Sequence, residues 1–327
     1  MIKVAVIGVG SMGQNHARIY FHNENVELAA VADPNPEFLK KVCKIYNTKG
    51  YGDYREMLEK EDIDAVSIAV PTQFHKEVAI YVLNRGKHVL LEKPIALTEE
   101  EARSIIECAK KNKAKLMVGH IERFNPAIIE LKKRLHELGE IYKVDVQRIG
   151  PFPSRITDVG VIVDLSVHDI DVIDYLINHS LTRLYAETQQ KLHPSHEDSV
   201  TAMLRYGNDI NAILSIDYLS PTKIRQIQIF GKKGMFKVNY LDQELYFYEN
   251  PGYSSDSWDT VVEGDMKKII LPKKEPLAGE IDAFISCILK DTEPAVSGEQ
   301  GLRALKIANL LLKSAKDKSI IWCGGEL

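Results

Sequence analysis

The chain has 327 residues, of which 45% are apolar and 27% are charged, and its formal net charge is -4. This length exceeds what one hydrophobic core usually supports, so two domains are expected. The mild negative charge argues against nucleic acid as a partner, and the apolar runs are too short to span a membrane. The scattered cysteines form no C-x-x-C pair, and the N-terminus leads directly into a strand pattern. We therefore predict a cytoplasmic protein with reduced thiols and no metal site.

The first elements in the chain are a strand, a glycine turn, a helix and a second strand. The apolar run 2–7 leads into Gly8–Gly13, which reads G-V-G-S-M-G, and a helical pattern follows. The second apolar run, 26–32, ends at Asp33, twenty residues after the last glycine. This order and spacing are those of a dinucleotide-binding βαβ unit.

The residues of this unit have distinct structural roles. Gly8 allows a tight turn, Gly10 lets the backbone approach a pyrophosphate, and Gly13 lets the helix pack closely on the strand. The N–H groups of the first helical turn, at Ser11 and Met12, face the anion. Asp33 is placed to accept hydrogen bonds from the adenosine ribose. No Arg or Lys occurs in the following Pro-Asn-Pro to accept a 2′-phosphate, so NAD is predicted as the cofactor in preference to NADP.

Strands and helices continue to alternate as far as residue 122. Five predicted strands alternating with helices give a Rossmann domain, an α/β doubly wound parallel sheet over residues 1–122. Ligands of such sheets lie beyond the carboxyl ends of the strands. Polar clusters fall at four of those ends: Gly8–Gly13, Pro71–His75, Glu92–Pro94 and Gly119–Arg123. We therefore predict that further cofactor contacts come from Pro71, Thr72, His75, Glu92, Lys93 and Arg123.

Lys93 is the strongest catalytic candidate in the first half. It lies between Glu92 and Pro94 at the expected mouth of the cofactor site. A lysine there can hydrogen-bond a substrate hydroxyl and, with a lowered pKa, remove its proton. A solvated surface charge is the alternative interpretation. Pro94 is a candidate for a cis peptide bond, which occurs in tight turns.

The second half, residues 123–327, is rich in short alternating strands with hairpin signals between them. This pattern predicts an α+β domain on a large, mainly antiparallel open sheet, with helices on one face. The other face, to which we assign Ile213, Ile229 and Phe230, needs a partner, so a homodimer or homotetramer through the sheet is expected. The closing helices are predicted over 280–289 and 300–315, and the last helix is expected to pack back on the first domain.

One helix of this domain carries a second group of catalytic candidates. Asp164, His168 and Asp171 are spaced i, i+4 and i+7 in the segment from Gly160 to Ile177, so one helical face is predicted to hold all three. A carboxylate beside an imidazole sets its tautomer and raises its pKa. A capped helix with a polar exposed stripe is the alternative.

The assembled motifs resemble the glucose–fructose oxidoreductase, inositol dehydrogenase and MocA family of sugar dehydrogenases. The resemblance rests on the glycine turn, Glu92-Lys93-Pro94, Gly119-His120 with Arg123-Phe124-Asn125-Pro126, and the Gly160–Asp171 segment. It implies that Lys93 and His168 flank the reacting carbon, with Asp164 supporting the histidine and either of the first two acting as general base.

Within this family, residues 119–126 and 158–165 are similar to the branch that acts on nucleotide sugars. That likeness implies oxidation of the C3 hydroxyl of UDP-N-acetylglucosamine to a ketone. The substrate-binding candidates are Arg155, Asp171, Lys223 and Arg225, of which the three basic residues are candidates for the diphosphate. Two other functions stay open: a dehydrogenase of a free sugar or inositol, and a non-catalytic NAD-sensing regulator, which has no need of Lys93, Asp164 or His168.

Overall fold

The structure is a computed structural model, which describes residues 1–153, 159–251 and 263–324. The predicted substrate ligand Arg155 lies outside the described residues. Its assignment therefore stays a prediction from the sequence.

Six strands among the described residues form the first sheet, and all of its pairs are parallel. The strands are β1 (Ile2–Ile7), β2 (Val26–Ala32), β3 (Lys49–Tyr51), β4 (Ala65–Ile68), β5 (His88–Glu92) and β6 (Leu116–Gly119). Their order is β3-β2-β1-β4-β5-β6. The helices are α1 (Ser11–Phe21), α2 (Pro36–Tyr46), α3 (Tyr54–Lys60), α4 (His75–Leu83) and α5 (Glu99–Lys111). The predicted doubly wound sheet is confirmed. The prediction of five strands missed β3, a three-residue edge strand without an apolar run.

Nine strands in the described part of the chain form the second sheet. They are β7 (Ile141–Ile149), β8 (Leu181–Gln189), β9 (Ser199–Tyr206), β10 (Ile210–Asp217), β11 (Ile224–Gly231), β12 (Gly234–Asn239), β13 (Glu244–Glu249), β14 (Met266–Ile269) and β15 (Ile321–Trp322). Their order is β14-β13-β12-β11-β7-β10-β9-β8-β15. The pair β7–β10 is parallel and the other pairs are antiparallel. The mainly antiparallel sheet is thus confirmed, and the short edge strands β14 and β15 are additions to it.

The two faces of this sheet differ in burial. Val144 and its partner Ile229 are buried, whereas Ile213 and Phe230 belong to the opposite face. Adjacent residues of a strand point to opposite faces. The assignment of Ile229 to the open face together with Phe230 was therefore wrong.

Four more helices follow along the described chain: α6 (Pro126–Arg134), α7 (Val167–Ile177), α8 (Pro276–Leu289) and α9 (Gly298–Asp317). The chain divides into two compact units. The first comprises Met1–Ile121 with Glu275–Leu305, and the second comprises Glu122–Lys274 with Lys306–Leu327. Helix α8 and the first part of α9 thus belong with the parallel sheet. The sequence placed α8 in the second domain and expected the last helix to pack back on the first. The limits 1–122 and 123–327 stay a prediction.

The helices of the described residues differ from membrane-spanning helices in length and apolar content. None of these helices is both long enough and apolar enough to cross a membrane.

Candidate active site

The glycine turn between β1 and α1 has the geometry of an anion-binding turn. Gly8 has φ +83°, a left-handed conformation that favours glycine. A Cβ added at Gly13 would lie 1.8 Å from the carbonyl oxygen of Gly8, so α1 packs directly on the turn. A Cβ at Gly10 would meet nothing within 4 Å. The backbone at Gly10 therefore borders open space at the N-terminus of α1, where Ser11 and Met12 begin the helix without a side-chain cap. This arrangement fits a pyrophosphate.

Asp33 is held in a fixed orientation beside this turn. One of its carboxylate oxygens accepts a hydrogen bond from the Val9 N–H at 2.7 Å, and the other accepts one from the Asn35 N–H at 2.8 Å. Each oxygen retains acceptor capacity, since a carboxylate has about four lone-pair sites. Asn35 in turn caps α2 through the N–H groups of Glu37 and Phe38. The carboxylate is thus preorganised to accept hydrogen bonds from hydroxyl groups.

The ends of β4 and β5 are joined through His75. One ring nitrogen of this buried histidine lies 2.9 Å from the Pro94 carbonyl and the other lies 3.0 Å from the Val70 carbonyl. Burial lowers the pKa of His75, although the backbone carbonyls act against that shift. A neutral imidazole has one N–H, so it donates to one of these two carbonyls, and His75 lies between the turn at Pro94 and the preceding loop. The Lys93–Pro94 peptide is cis.

Glu92 lies beside Lys93, is 12% exposed at its side chain and is paired with His16 of α1. Its carboxylate lies 2.9 Å from His16 Nε2 and accepts a hydrogen bond from the Lys93 N–H at 3.3 Å. The other His16 nitrogen lies 3.0 Å from Ser67 Oγ. Burial raises the pKa of Glu92, but its hydrogen bond and charge interaction with His16, together with the charge of Lys93, outweigh burial and leave that pKa lowered. The sequence did not predict His16, which anchors the Glu92–Lys93 turn to α1.

Replacing Glu92 with glutamine is expected to lower the free energy of unfolding by about 1.5–3 kcal/mol at neutral pH, the typical value of a hydrogen bond to a charged group. Because the folded-state pKa of Glu92 is lowered, its stabilisation is present above the unfolded-state pKa of roughly 4.3 and is lost as pH falls through the folded-state value. Urea unfolding of wild type and Glu92→Gln from pH 7 to pH 3 should show that the difference between their free energies of unfolding decreases toward acid pH. A difference in free energy of unfolding that does not change with pH would contradict the assigned role of the Glu92 charge.

In the second unit, the segment around Asp164 is a π-helix. It covers Ile162–Ser166 and leads directly into α7. The Tyr218 hydroxyl donates a hydrogen bond to Asp164 Oδ2 at 2.5 Å. His168 follows on α7 and is half-buried. Since a π turn bonds i to i+5, the α-helical spacing used to place Asp164 does not apply to this turn. Support of His168 by Asp164 stays a prediction.

Arg123 and Asp171 form a buried ion pair within the second unit. Arg123 Nε and Nη2 donate to the two Asp171 oxygens at 2.7 and 2.5 Å, and both side chains are almost fully buried. The pair links the turn after β6 to α7. The sequence predicted Arg123 as a cofactor ligand and Asp171 as a substrate ligand, and both roles stay predictions; the structure shows a positioning contact.

A second buried cation, Arg148, was not predicted. It donates to both Asp169 oxygens at 2.6 and 3.1 Å and to Glu122 at 3.0 Å. Its guanidinium carbon lies 5.2 Å from the centre of the Tyr240 ring. The sequence contained a signal for it: Arg148 continues the inward alternation of Val144 and Val146, where an apolar residue is expected.

Two family models match this chain. The first, described as an oxidoreductase family with an NAD-binding Rossmann fold, matches residues 2–120. The second, the C-terminal alpha/beta domain of that oxidoreductase family, matches residues 132–322. The chain belongs to the Gfo/Idh/MocA oxidoreductase family. The resemblance inferred from its motifs is thus confirmed.

Members of the Gfo/Idh/MocA family are similar to this chain over nearly its whole length. UDP-N-acetylglucosamine 3-dehydrogenase of Acidithiobacillus ferrooxidans is 29% identical over 94% of this chain and 95% of its own length. A solved structure of that enzyme has a TM-score of 0.88 and covers 97% of this chain and 98% of that one. Inositol 2-dehydrogenase of Rhizobium meliloti is 27% identical over 97% of this chain and 98% of its own length. The fold and the oxidoreductase class are therefore shared with enzymes that bear different substrate names.

Proposed function

We propose that this protein is an NAD-dependent dehydrogenase that oxidises a ring hydroxyl of a sugar to a ketone. The observation that carries the proposal is the dinucleotide turn, with its open space at Gly10 and oriented Asp33, in a family of oxidoreductases. A regulator that only binds NAD is the rival of another class. Lys93, Asp164 and His168 favour an enzyme, because a sensor has no use for them.

The choice of NAD over NADP rests on Asp33. Both of its oxygens accept backbone N–H groups, which orients the carboxylate as an acceptor for ribose hydroxyls. A 2′-phosphate beside this carboxylate would meet a like charge. Residues 34–36 offer no basic side chain to offset that repulsion.

The chain supplies position and proton transfer. The dinucleotide turn and Asp33 would hold NAD, which would supply the hydride acceptor for the carbon being oxidised. Lys93 as a neutral amine or His168 as a neutral imidazole accepts the hydroxyl proton. The C–O single bond of the alcohol then becomes the C=O double bond of the ketone. Glu92 and His16 hold the backbone of Lys93, and Tyr218 orients Asp164 on the turn that leads to His168.

For the substrate, we propose C3 of UDP-N-acetylglucosamine. The full-length similarity to the Acidithiobacillus ferrooxidans enzyme supports this choice, together with the motif likeness at 119–126. A free sugar or inositol is the second candidate, supported by the similarity to the Rhizobium meliloti inositol 2-dehydrogenase.

The test is NADH formation, followed at 340 nm, across a panel of UDP-sugars, free sugars and inositols, with NAD and NADP compared. We expect turnover of UDP-N-acetylglucosamine with NAD. Turnover confined to free sugars or inositols would reject the nucleotide-sugar substrate. Tight NAD binding with no turnover of any compound would favour the regulator.

We further propose that the open face of the second sheet joins copies of the chain into a homodimer or homotetramer. Met203 and its partner Ile213 are exposed on this face, at 51% and 37% of their surfaces. Exposed apolar side chains on a sheet face are typical of association surfaces. Sedimentation equilibrium would measure the number of copies, and a monomer would overturn this proposal.

A further inference from the structure

Arg225 lies near the start of β11, on the face of the sheet that carries Arg148, and Lys223 immediately precedes this strand. Arg225 is directly opposite Arg148 in the register of β11 and β7. Lys223 precedes it by two residues, and a Cβ added at Gly150 would lie 3.3 Å from Lys223 Cγ. Lys223 is exposed and Arg225 is partly buried, so one end of β11 carries two positive charges two positions apart in the chain.

Arg148 and Arg225 differ in their partners. Arg148 is fully engaged by Asp169 and Glu122. Arg225 is partly buried, and within residues 1–153, 159–251 and 263–324 it makes neither a hydrogen bond nor an ion pair. A guanidinium has five N–H donors in a planar fork, and burying them without acceptors is costly. The N–H donors of Arg225 are therefore available to the oxygen atoms of a bound anion.

The electrostatic surroundings of Arg225 agree with this. Burial lowers the pKa of Arg225 and the nearby Arg148 lowers it further, while Glu122, Asp169 and Asp164 raise it by less. The nearby carboxylates already have donors of their own, since Glu122 and Asp169 bind Arg148 and Asp164 binds Tyr218. An anion bound at Arg225 would therefore accept the N–H hydrogen bonds that these carboxylates do not accept.

We propose that Arg225, assisted by Lys223, forms a subsite for a phosphate group of the substrate. The planar fork of Arg225 matches two phosphate oxygens, and Lys223 adds a second positive charge, as the two charges of a diphosphate require. Asp164, whose charge acts on Arg225, belongs to the π turn that leads to His168. The inference rests on the proposed function, because it assigns the non-reacting end of a sugar nucleotide to these residues.

The kinetic test compares Arg225→Met and Arg225→Lys with wild type. The substrates are UDP-N-acetylglucosamine, N-acetylglucosamine 1-phosphate, free N-acetylglucosamine and myo-inositol. Arg225→Met should raise KM for UDP-N-acetylglucosamine by about 10- to 100-fold with kcat nearly unchanged, which is the signature of lost uniform binding. KM for compounds without phosphate should not change. Arg225→Lys should fall between wild type and Arg225→Met, because lysine keeps the charge but not the fork.

The control is Arg103→Met, which removes the same charge from an exposed site on α5 in the other unit. It should leave every KM unchanged. NAD affinity, measured by quenching of protein fluorescence, should be the same in all variants, which also shows that they are folded. An equal rise in KM for phosphorylated and free compounds would overturn the subsite.

A binding measurement separates the subsite from the proposed substrate. Calorimetry of UDP with NAD-saturated protein should give a Kd about 10- to 100-fold weaker in Arg225→Met than in wild type. Unchanged UDP binding would overturn the subsite even if UDP-N-acetylglucosamine is the substrate. Weaker UDP binding in the variant, with wild-type turnover confined to free sugars, would reject the proposed substrate and show an anion-binding site at Arg225 that holds no phosphate of the substrate.

Discussion

Lys93→Ala and His168→Ala are each expected to lower kcat about 10²- to 10⁴-fold, the usual contribution of a positioned acid or base. NAD affinity should change far less than kcat, because neither change touches the glycine turn or Asp33 and Lys93→Ala removes only the single cofactor contact predicted for Lys93. Initial rates of NADH formation and fluorescence titration with NAD measure the two quantities. Near-normal kcat in both variants would reject the assignment of these residues to proton transfer.

The same variants can distinguish the base from its partner. The free-enzyme pKa of the general base appears in the pH profile of kcat/KM, so the residual activity of the variant without the base should lose that limb. The variant that lacks the other residue of the pair should keep this limb of the pH profile, but with lower values of kcat/KM. Lys111→Ala on α5 and His136→Ala are matched controls, since both side chains are exposed and neither is among the predicted site residues.

Gly13→Ala is expected to weaken NAD binding by about 10²-fold or more and to lower the thermal midpoint. The new Cβ would lie 1.8 Å from the Gly8 carbonyl oxygen and 2.8 Å from the Gly8 carbonyl carbon, and these backbone atoms cannot yield without moving α1 off β1. A displacement of about 1 Å in a binding turn is enough for a loss of this size. Calorimetric titration with NAD and differential scanning calorimetry test the two effects.

Gly10→Ala provides the matched comparison. Its Cβ would meet nothing within 4 Å, so the fold without cofactor should keep its thermal midpoint. The added methyl group would still enter the open space assigned to the pyrophosphate, and NAD affinity should fall. Equal NAD affinity in Gly10→Ala and wild type would show that the cofactor does not approach the backbone there.

Sequence alone predicted the parts of the site that depend on neighbouring residues. The contact between Gly13 and Gly8 spans five residues, and strand ends could be located from apolar runs, which is why the turn and the Glu92–Pro94 cluster were identified. Long-range partners carry no such local signal. The pairing of His16 with Glu92 joins residues 76 positions apart, and nothing near either residue predicts it.

The second unit contains a turn whose helix type the residue spacing does not predict. Asp164, His168 and Asp171 have α-helical spacing, but the chain forms a π turn at 162–166, and the residue types there do not distinguish the two conformations. Arg148 could have been found, because a charged residue at an inward position of β7 requires buried carboxylates. Its partners Asp169 and Glu122, however, are known only from the folded chain.

The discontinuity of the first unit has a consequence for how the protein is made. Helix α8 packs on α1, Arg18 pairs with Glu275, and Asn23 Nδ2 donates to Asp282 at 2.8 Å. The parallel-sheet unit is therefore incomplete until residue 305 has left the ribosome, by which time the whole open-sheet segment 122–274 has already emerged. During synthesis the cofactor-binding unit begins first but is completed only after residues 122–274 of the other unit, and its α1 surface has no α8 to pack against until then.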